Sequence, residues 1–355
     1  MNSDMNEPHN IYIHVPFCVQ KCKYCAFFSH ACKSPDWDEY TTKIVGEITY
    51  FSEKLGKIRV PTVFFGGGTP SLMPTKNFLE IMGAIHKNFD ISPHAEVTIE
   101  ANPGTIDDVR LGEFCDAGVN RLSIGVQSFD DKKLKFLGRI HNANDALRII
   151  ELGTKHGIRV SADFIYGLPG EGVDDVIKTC DEINRIGITH CSMYELTIEP
   201  NTPFSQMNLD MPTNETMAEM YIAISKNLKL PRYEVSNYAA PGFECRHNQN
   251  IWDGEPYIGI GIGAAGRVFI NGQWYEQMGG GKMFQPMTRT ERAIERVITG
   301  MRTTRGVYID NEVKKILNLE FAKTHPDMLT LSNDRIAATS NGILVLDDLI
   351  EKLVK

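Results

Sequence analysis

The sequence of 355 residues is 42% hydrophobic and 23% charged, an ordinary globular composition that excludes a disordered or fibrous chain. At roughly 100–200 residues per domain, it has room for two or three domains, or for one barrel with an appendage. The formal net charge of -8, with no basic stripe to track phosphates, argues against a nucleic-acid partner, and no apolar run approaches the roughly 18 residues of a membrane-spanning helix.

The polar opening, MNSDMNEPHN, lacks the basic-then-apolar order of a secretory signal. A cytoplasmic location is the expectation, where thiols stay reduced and clustered cysteines bind metal more often than they pair. NIYIHV at 10–15 reads as a short buried strand running into a cysteine loop. There Cys18, Cys22 and Cys25 are spaced Cys-x3-Cys-x2-Cys, with Cys32 just beyond. Thiolates are soft ligands for zinc and iron–sulfur clusters. Three on one loop can wrap one face of a cluster and leave an iron open; Cys32 as a fourth ligand would instead close a ferredoxin-type site. A zinc site with His14 as fourth ligand is a further reading, though no second Cys-x2-Cys pair is present. Cys115, Cys180, Cys191 and Cys245 are scattered and read as small hydrophobes.

Strand and helix patterns then alternate. A helix is expected over 36–56, a strand over 62–68, a helix over 75–88, a strand over 96–102 and a helix over 105–117. A strand over 121–127 follows, then helices near 130–137 and 142–156, a strand over 158–168, a helix over 173–186 and a sixth strand over 190–196. Such alternation predicts an α/β fold with parallel strands and crossover helices, an open (β/α)6 partial TIM barrel. Chemistry in such barrels sits at the C-terminal strand ends, where the cysteine loop, Gly66-Gly67-Gly68-Thr69, Glu100, Gln127 and Asp163 all fall.

After Pro200 the pattern changes. A loop leads to a helix near 215–229 and a strand at 233–239, and 241–266 is glycine-rich and reads as irregular. A helix near 288–301 precedes a charged segment, 302–355, with a hairpin expected near Asn341-Gly342. The organisation expected is a core over 1–200, a linker and ligand-binding segment over 201–287, and a small helical, winged-helix-like module over 288–355. Together the last two form a C-terminal α+β extension.

The motif Tyr12-x-His14-x-Pro16-Phe17-Cys18-x3-Cys22-x2-Cys25 resembles the signature of the radical S-adenosylmethionine (SAM) superfamily. More narrowly, it is similar to the subgroup of oxygen-independent coproporphyrinogen III oxidases and HemW-type haem chaperones. Gly66-Gly67-Gly68-Thr69-Pro70-Ser71, Glu100-Ala101-Asn102-Pro103, Gly125-Val126-Gln127-Ser128 and Asp163-x2-Tyr166-Gly167-Leu168-Pro169-Gly170 follow in the order that family shows. The resemblance implies one [4Fe-4S] cluster on Cys18, Cys22 and Cys25, whose open iron takes the amino and carboxylate groups of SAM. It further implies that Gly67, Gly68 and Thr69 approach SAM's methionine end, glycines letting backbone N–H groups come close. Glu100, Gln127, Arg139 and Asp163 would surround SAM, and Tyr12 and Tyr24 would pack on the adenosine or the cluster.

Two places separate the subgroups. The oxidases carry a further cysteine two residues after the third ligand, where Phe27 stands here, and a longer extension before the cysteine loop than the 17 residues preceding Cys18. Arg246-His247-Asn248-Gln249-Asn250-Ile251-Trp252 resembles the His-Asn-x-x-Tyr-Trp motif tied to haem in the chaperones, with Ile251 in place of tyrosine. Ala265 likewise stands where related sequences often have histidine. The resemblance implies His247 as haem ligand, Asn248 orienting it and Trp252 packing on the porphyrin. The function implied is a haem chaperone that binds haem, SAM and one cluster and passes haem to acceptor proteins, with a transient membrane contact. The alternative is an oxidase that decarboxylates coproporphyrinogen.

Overall fold

The computed structural model describes residues 7–278, 283–332 and 334–355. One eleven-stranded sheet organises the molecule. Its strands are β1 (Asn10–Val15), β2 (Arg59–Gly67), β3 (Asp90–Ala101), β4 (Arg121–Gln127), β5 (Arg159–Tyr166), β6 (His190–Glu195), β7 (Asn237–Ala239), β8 (Tyr257–Ile260), β9 (Gly266–Ile270), β10 (Gln273–Met278) and β11 (Met283–Pro286). The spatial order is β11-β10-β9-β8-β1-β2-β3-β4-β5-β6-β7. Strands from β8 through β1 to β6 run parallel. β7 joins antiparallel to β6, and β9 to β11 form an antiparallel meander beyond β8. The order is open, as a partial barrel requires.

The alternation along β1 shows how the sequence makes two faces. Ile11, Ile13 and Val15 are fully buried, in one core with Ile44, Ile48 and Phe51 of helix α1 (Trp37–Leu55). The alternate residues Asn10, Tyr12 and His14 point to the other face, the interior, where Asn10 meets Thr62 and Tyr12 stacks on Phe64. Helices α2 (Thr75–Asn88), α3 (Asp108–Asp116), α4 (Asp131–Leu137), α5 (Ala143–Lys155) and α6 (Val173–Ile186) complete the crossovers. Their starts are legible: Asp36 caps α1, Asp107 caps α3, and Asn142 forms a capping box with Asp145 on α5.

Beyond residue 200 the structure departs from the expectation in three places. The sheet continues through the stretch read as irregular: Tyr257–Ile260 becomes a parallel strand beside β1. Four residues with a central glycine carry too weak a pattern to be read alone, and pairing with β1 makes the strand. Only Asn237–Ala239 of the expected 233–239 strand forms β7; Glu234 turns its carboxylate back onto the Ser236 amide instead. The hairpin expected at Asn341-Gly342 lies earlier. It joins β13 (Leu329–Leu331) to β14 (Arg335–Ala338), with β12 (Val307–Tyr308) on the other side of β14. Gly342 opens a helical turn, Gly342–Val345, where a Cβ would strike the Met328 carbonyl at 2.0 Å.

Helices α7 (Asn214–Asn227) and α8 (Arg246–Trp252) precede α9 (Arg289–Gly300), α10 (Asn311–Ile316), α11 (Leu319–Thr324) and α12 (Leu346–Leu353). Val297, Met301, Val313, Leu317, Ile336 and Leu353 build a second core, separate from that of the sheet.

Candidate active site at the mouth of the barrel

A cavity of about 460 Å³ opens at the C-terminal ends of the parallel strands. That is within the usual range for a small-molecule site. The cysteine loop forms one wall, with Cys18, Cys22, Tyr24 and Cys25 facing the space; Gly67, Gly68, Thr69, Glu100, Gln127, Arg139 and Asp163 line the rest. Residues as much as 145 positions apart in sequence thus converge because every parallel strand ends at the same level.

The loop is held by short hydrogen bonds. His14 donates from Nε2 to the Phe28 carbonyl at 2.7 Å, and so accepts at Nδ1 from the Tyr12 hydroxyl at 3.0 Å. With both nitrogens engaged, His14 has none to offer zinc. Among the described residues no three His, Cys, Asp or Glu side chains converge on one metal ion. The three thiols instead line one wall of a roomy cavity, the arrangement a multi-iron cluster asks for. Cys32 is not on that wall; its amide bonds the Cys18 carbonyl at 2.9 Å. Cys180, Cys191 and Cys245 are buried, Cys180 and Cys191 in the apolar core.

The glycine motif acts differently from the expectation. Its amides are already used: Gly67 donates to Glu100 Oε2 at 3.0 Å, Gly68 to the Val15 carbonyl at 2.7 Å, and Thr69 to the Phe17 carbonyl at 2.8 Å. The glycines serve close packing beneath the cysteine loop. A Cβ at Gly68 would lie 2.6 Å from the Phe17 carbonyl oxygen, and Gly67 has φ 112°, which side chains rarely adopt. Tyr12 also departs from the expectation. It is absent from the cavity wall, stacking on Phe64 with a ring separation of 6.1 Å.

Arg139 spans the site. It donates to Cys22 Sγ at 3.3 Å and to the Gly125 carbonyl at 2.7 Å, and it contacts Asn102 Oδ1. Gly125 leaves room for it, since a Cβ there would press on Asn102, Gln127 and Arg139. Gln127 has φ 66°, and the pairing of β4 with β5 skips a residue between Gly125 and Gln127. Such left-handed strain in a non-glycine residue costs on the order of 1–3 kcal/mol and gathers at functional sites. Here it stands on the cavity wall.

Glu100 and Asp163 face the cavity from β3 and β5. Burial, with the neighbouring Asp163 charge, pushes Glu100 up to about 8, against the pull of the Gly67 amide and Arg121. Burial raises Asp163 as well, countered by hydroxyl hydrogen bonds from Ser192 at 2.6 Å and Ser123 at 3.2 Å. A cationic ligand would relieve both. The cavity therefore fits a molecule with an ammonium or sulfonium charge next to a thiolate-bound cluster. Asn102, Ser123, Tyr194 and Glu195 also line it and escaped the sequence reading. Asn102 and Glu195 stand at strand ends, a signal that could have found them.

The residues expected to hold haem lie elsewhere. His247 is buried, its ring 5.0 Å from that of Phe64, its Nδ1 2.7 Å from Thr62 Oγ1 and its amide 2.9 Å from Glu96. Thr62 and Glu96 pair with each other five residues before the C-terminal ends of β2 and β3, so α8 packs against the barrel below its mouth. Burial pushes the His247 imidazole down to about 4. Trp252 lies under the Arg302 guanidinium at 5.2 Å, and Asn248 is half-buried on α8. None of the three reaches the cavity.

An open parallel barrel with three loop cysteines at its mouth defines a radical SAM protein, and residues 12–183 match the model of the radical SAM superfamily. Such a fold implies a [4Fe-4S] cluster and SAM. The chain is 38% identical over 266 residues to the heme chaperone HemW of Escherichia coli (strain K12), covering 74% of this chain and 70% of that protein. It is 31% identical to the heme chaperone HemW of Lactococcus lactis, covering 99% and 98%. The chain belongs to the HemW family within the radical SAM superfamily. Its fold is also that of coproporphyrinogen III oxidase (HemN) from Escherichia coli, with a TM-score of 0.81 at 19% identity over 98% of this chain and 90% of that one.

Proposed function

We propose that this protein is a haem chaperone, binding haem and passing it to acceptor proteins. The observation that carries the reading is the likeness to HemW chaperones along nearly the whole chain, 98% of the Lactococcus lactis protein being covered. Phe27 supports it: where the oxidases have a further cysteine, this chain has an exposed apolar ring on the cavity rim. Cys18, Cys22 and Cys25 would hold the cluster, and Glu100, Gln127, Arg139 and Asp163 would surround SAM. When bound together, cluster and SAM supply a route to a carbon radical. The residues' own part is to bind and shield: Glu100 and Asp163 neutralise a cationic ligand, and Tyr24 and Arg139 close the wall behind the thiols.

The HemN-like fold favours a second reading, a radical SAM oxidase acting on coproporphyrinogen. One pair of experiments separates them. Hemin added to purified protein should give a Soret band that moves to an apo-acceptor on mixing. Anaerobic incubation of reduced, reconstituted protein with coproporphyrinogen should yield no decarboxylated product. Robust turnover would reverse the assignment. No helix of the described residues is long and apolar enough to cross a membrane, so delivery to membrane-bound acceptors would proceed by transient contact.

A further inference from the structure

The imidazole of His247 is buried, and only one of its nitrogens is used. Nδ1 lies 2.7 Å from Thr62 Oγ1, whereas Nε2 is buried with no hydrogen-bond partner among the described residues. Buried polar atoms are nearly always paired, so this one calls for an explanation. Trp252 Nε1 is likewise buried and unpartnered, but an indole N–H only donates and cannot ligate iron.

The neighbours decide where the His247 proton sits. Asn10 donates from Nδ2 to the Pro256 carbonyl at 3.0 Å, and it also hydrogen-bonds the Glu255 carboxyl. A backbone carbonyl can only accept, so the orientation of the Asn10 amide is fixed. Its Oδ1 then accepts from Asn250 Nδ2 at 2.9 Å and from the Thr62 hydroxyl at 2.8 Å. A hydroxyl has one proton to give. With that proton committed to Asn10, Thr62 Oγ1 can only accept from His247, and the ring proton sits on Nδ1. The opposite assignment would set lone pairs of Thr62 and Asn10 against each other at 2.8 Å and bury an unpartnered N–H at Nε2. An imidazolium would bury the same N–H with a charge. The ring is therefore neutral, with Nδ1–H on β2 and a bare lone pair at Nε2.

An imidazole that ligates a metal has this arrangement. The hydrogen bond from one nitrogen to an oxygen fixes tautomer and ring orientation and raises the basicity of the other nitrogen. Asn248, the residue expected to orient His247, bonds neither ring nitrogen. Asn10, Thr62 and Asn250 come instead from β1, β2 and α8, and Asn10 and Thr62 are fully buried.

We propose that Thr62, backed by Asn10 and Asn250, is the positioning residue that presets His247 as an Nε2 donor to haem iron. This rests on the chaperone reading and goes beyond it by naming what prepares the ligand. Because Nε2 is buried, iron reaches it when the side chains around that nitrogen repack, with Nδ1 still held on β2.

Nitrogen NMR of full-length, hemin-free protein with labelled histidine reads the tautomer directly. The His247 signals, assigned by their loss in His247→Gln, should show a protonated Nδ1 and a bare Nε2; a protonated Nε2 would overturn the proposal. Hemin titration and resonance Raman spectra of the ferrous complex test the iron side. Thr62→Val keeps the shape and removes the acceptor, so it should weaken hemin binding by about tenfold or more and lower the iron–histidine stretching frequency. Thr62→Ser should restore both. Wild-type affinity and frequency in Thr62→Val, or equal loss in Thr62→Val and Thr62→Ser, would overturn the positioning role and leave the chaperone reading intact. So would wild-type hemin affinity in His247→Gln. A wild-type chain that takes up no hemin would overturn both.

Discussion

Arg139 donates a hydrogen bond from Nη1 to the sulfur of Cys22 at 3.3 Å, across 117 residues of chain. It also hydrogen-bonds Tyr24, Gly125 and Asn102, so the guanidinium ties the cysteine loop to β4 and to the end of β3. A cationic donor on a cluster ligand favours the more negative, reduced cluster. Arg139→Lys, with one ammonium in place of a planar fork, should lower the cluster's reduction potential by on the order of 50 mV. A redox titration followed by electron paramagnetic resonance measures it; an unchanged potential would mean that the contact does not persist in the loaded protein.

The position of Cys32 leads to a second expectation. It stands off the cavity wall on which Cys18, Cys22 and Cys25 lie. Anaerobically reconstituted wild type and Cys32→Ala should both carry about four irons per chain, while Cys22→Ala should carry close to none. Equal loss in the two variants would make Cys32 a fourth ligand and close the cluster.

The raised Glu100 carboxyl sets a pH dependence. A buried acid pushed up to about 8 keeps its proton at neutral pH, whereas a cationic ligand favours the ionised form. SAM affinity should therefore climb from pH 6 to pH 8, and binding at pH 7 should release a proton. Calorimetry in buffers of different ionisation enthalpy detects that release. For the free chain the sign is opposite: the unfolded state loses the Glu100 proton near its ordinary carboxylate range and the folded state keeps it. Stability should decline with rising pH until about 8. Glu100→Gln should flatten that decline in thermal melts and abolish the stabilisation that SAM confers.

Gly68 carries a steric expectation. Its missing Cβ would sit 2.6 Å from the Phe17 carbonyl oxygen, and backbone cannot give way as a flexible side chain does. Gly68→Ala should cost about 1–3 kcal/mol in urea unfolding and lower the iron content by displacing Phe17 and Cys18. An unchanged unfolding midpoint would show that the loop can shift at no cost.

Local chemistry made much of this protein readable from its residues. β1, β4, α2 and α6 form over the stretches their patterns predict, because each carries a period of 2 or 3.6 and a turn or cap at its ends. The cysteine loop and the strand-end residues Glu100, Gln127 and Asp163 were visible because parallel strands deliver their C-terminal ends to one mouth. Tertiary structure decided the rest. Tyr257–Ile260 is a strand only because β1 offers it a parallel edge. The amides of Gly67, Gly68 and Thr69 are spent on neighbours that no local pattern identifies. His247 stands in a motif that reads as a ligand, yet packing of α8 against the barrel below its mouth buries it against Phe64 and Thr62. Which side of a helix faces solvent depends on what packs against it, and a single chain does not carry that information in its own periodicity.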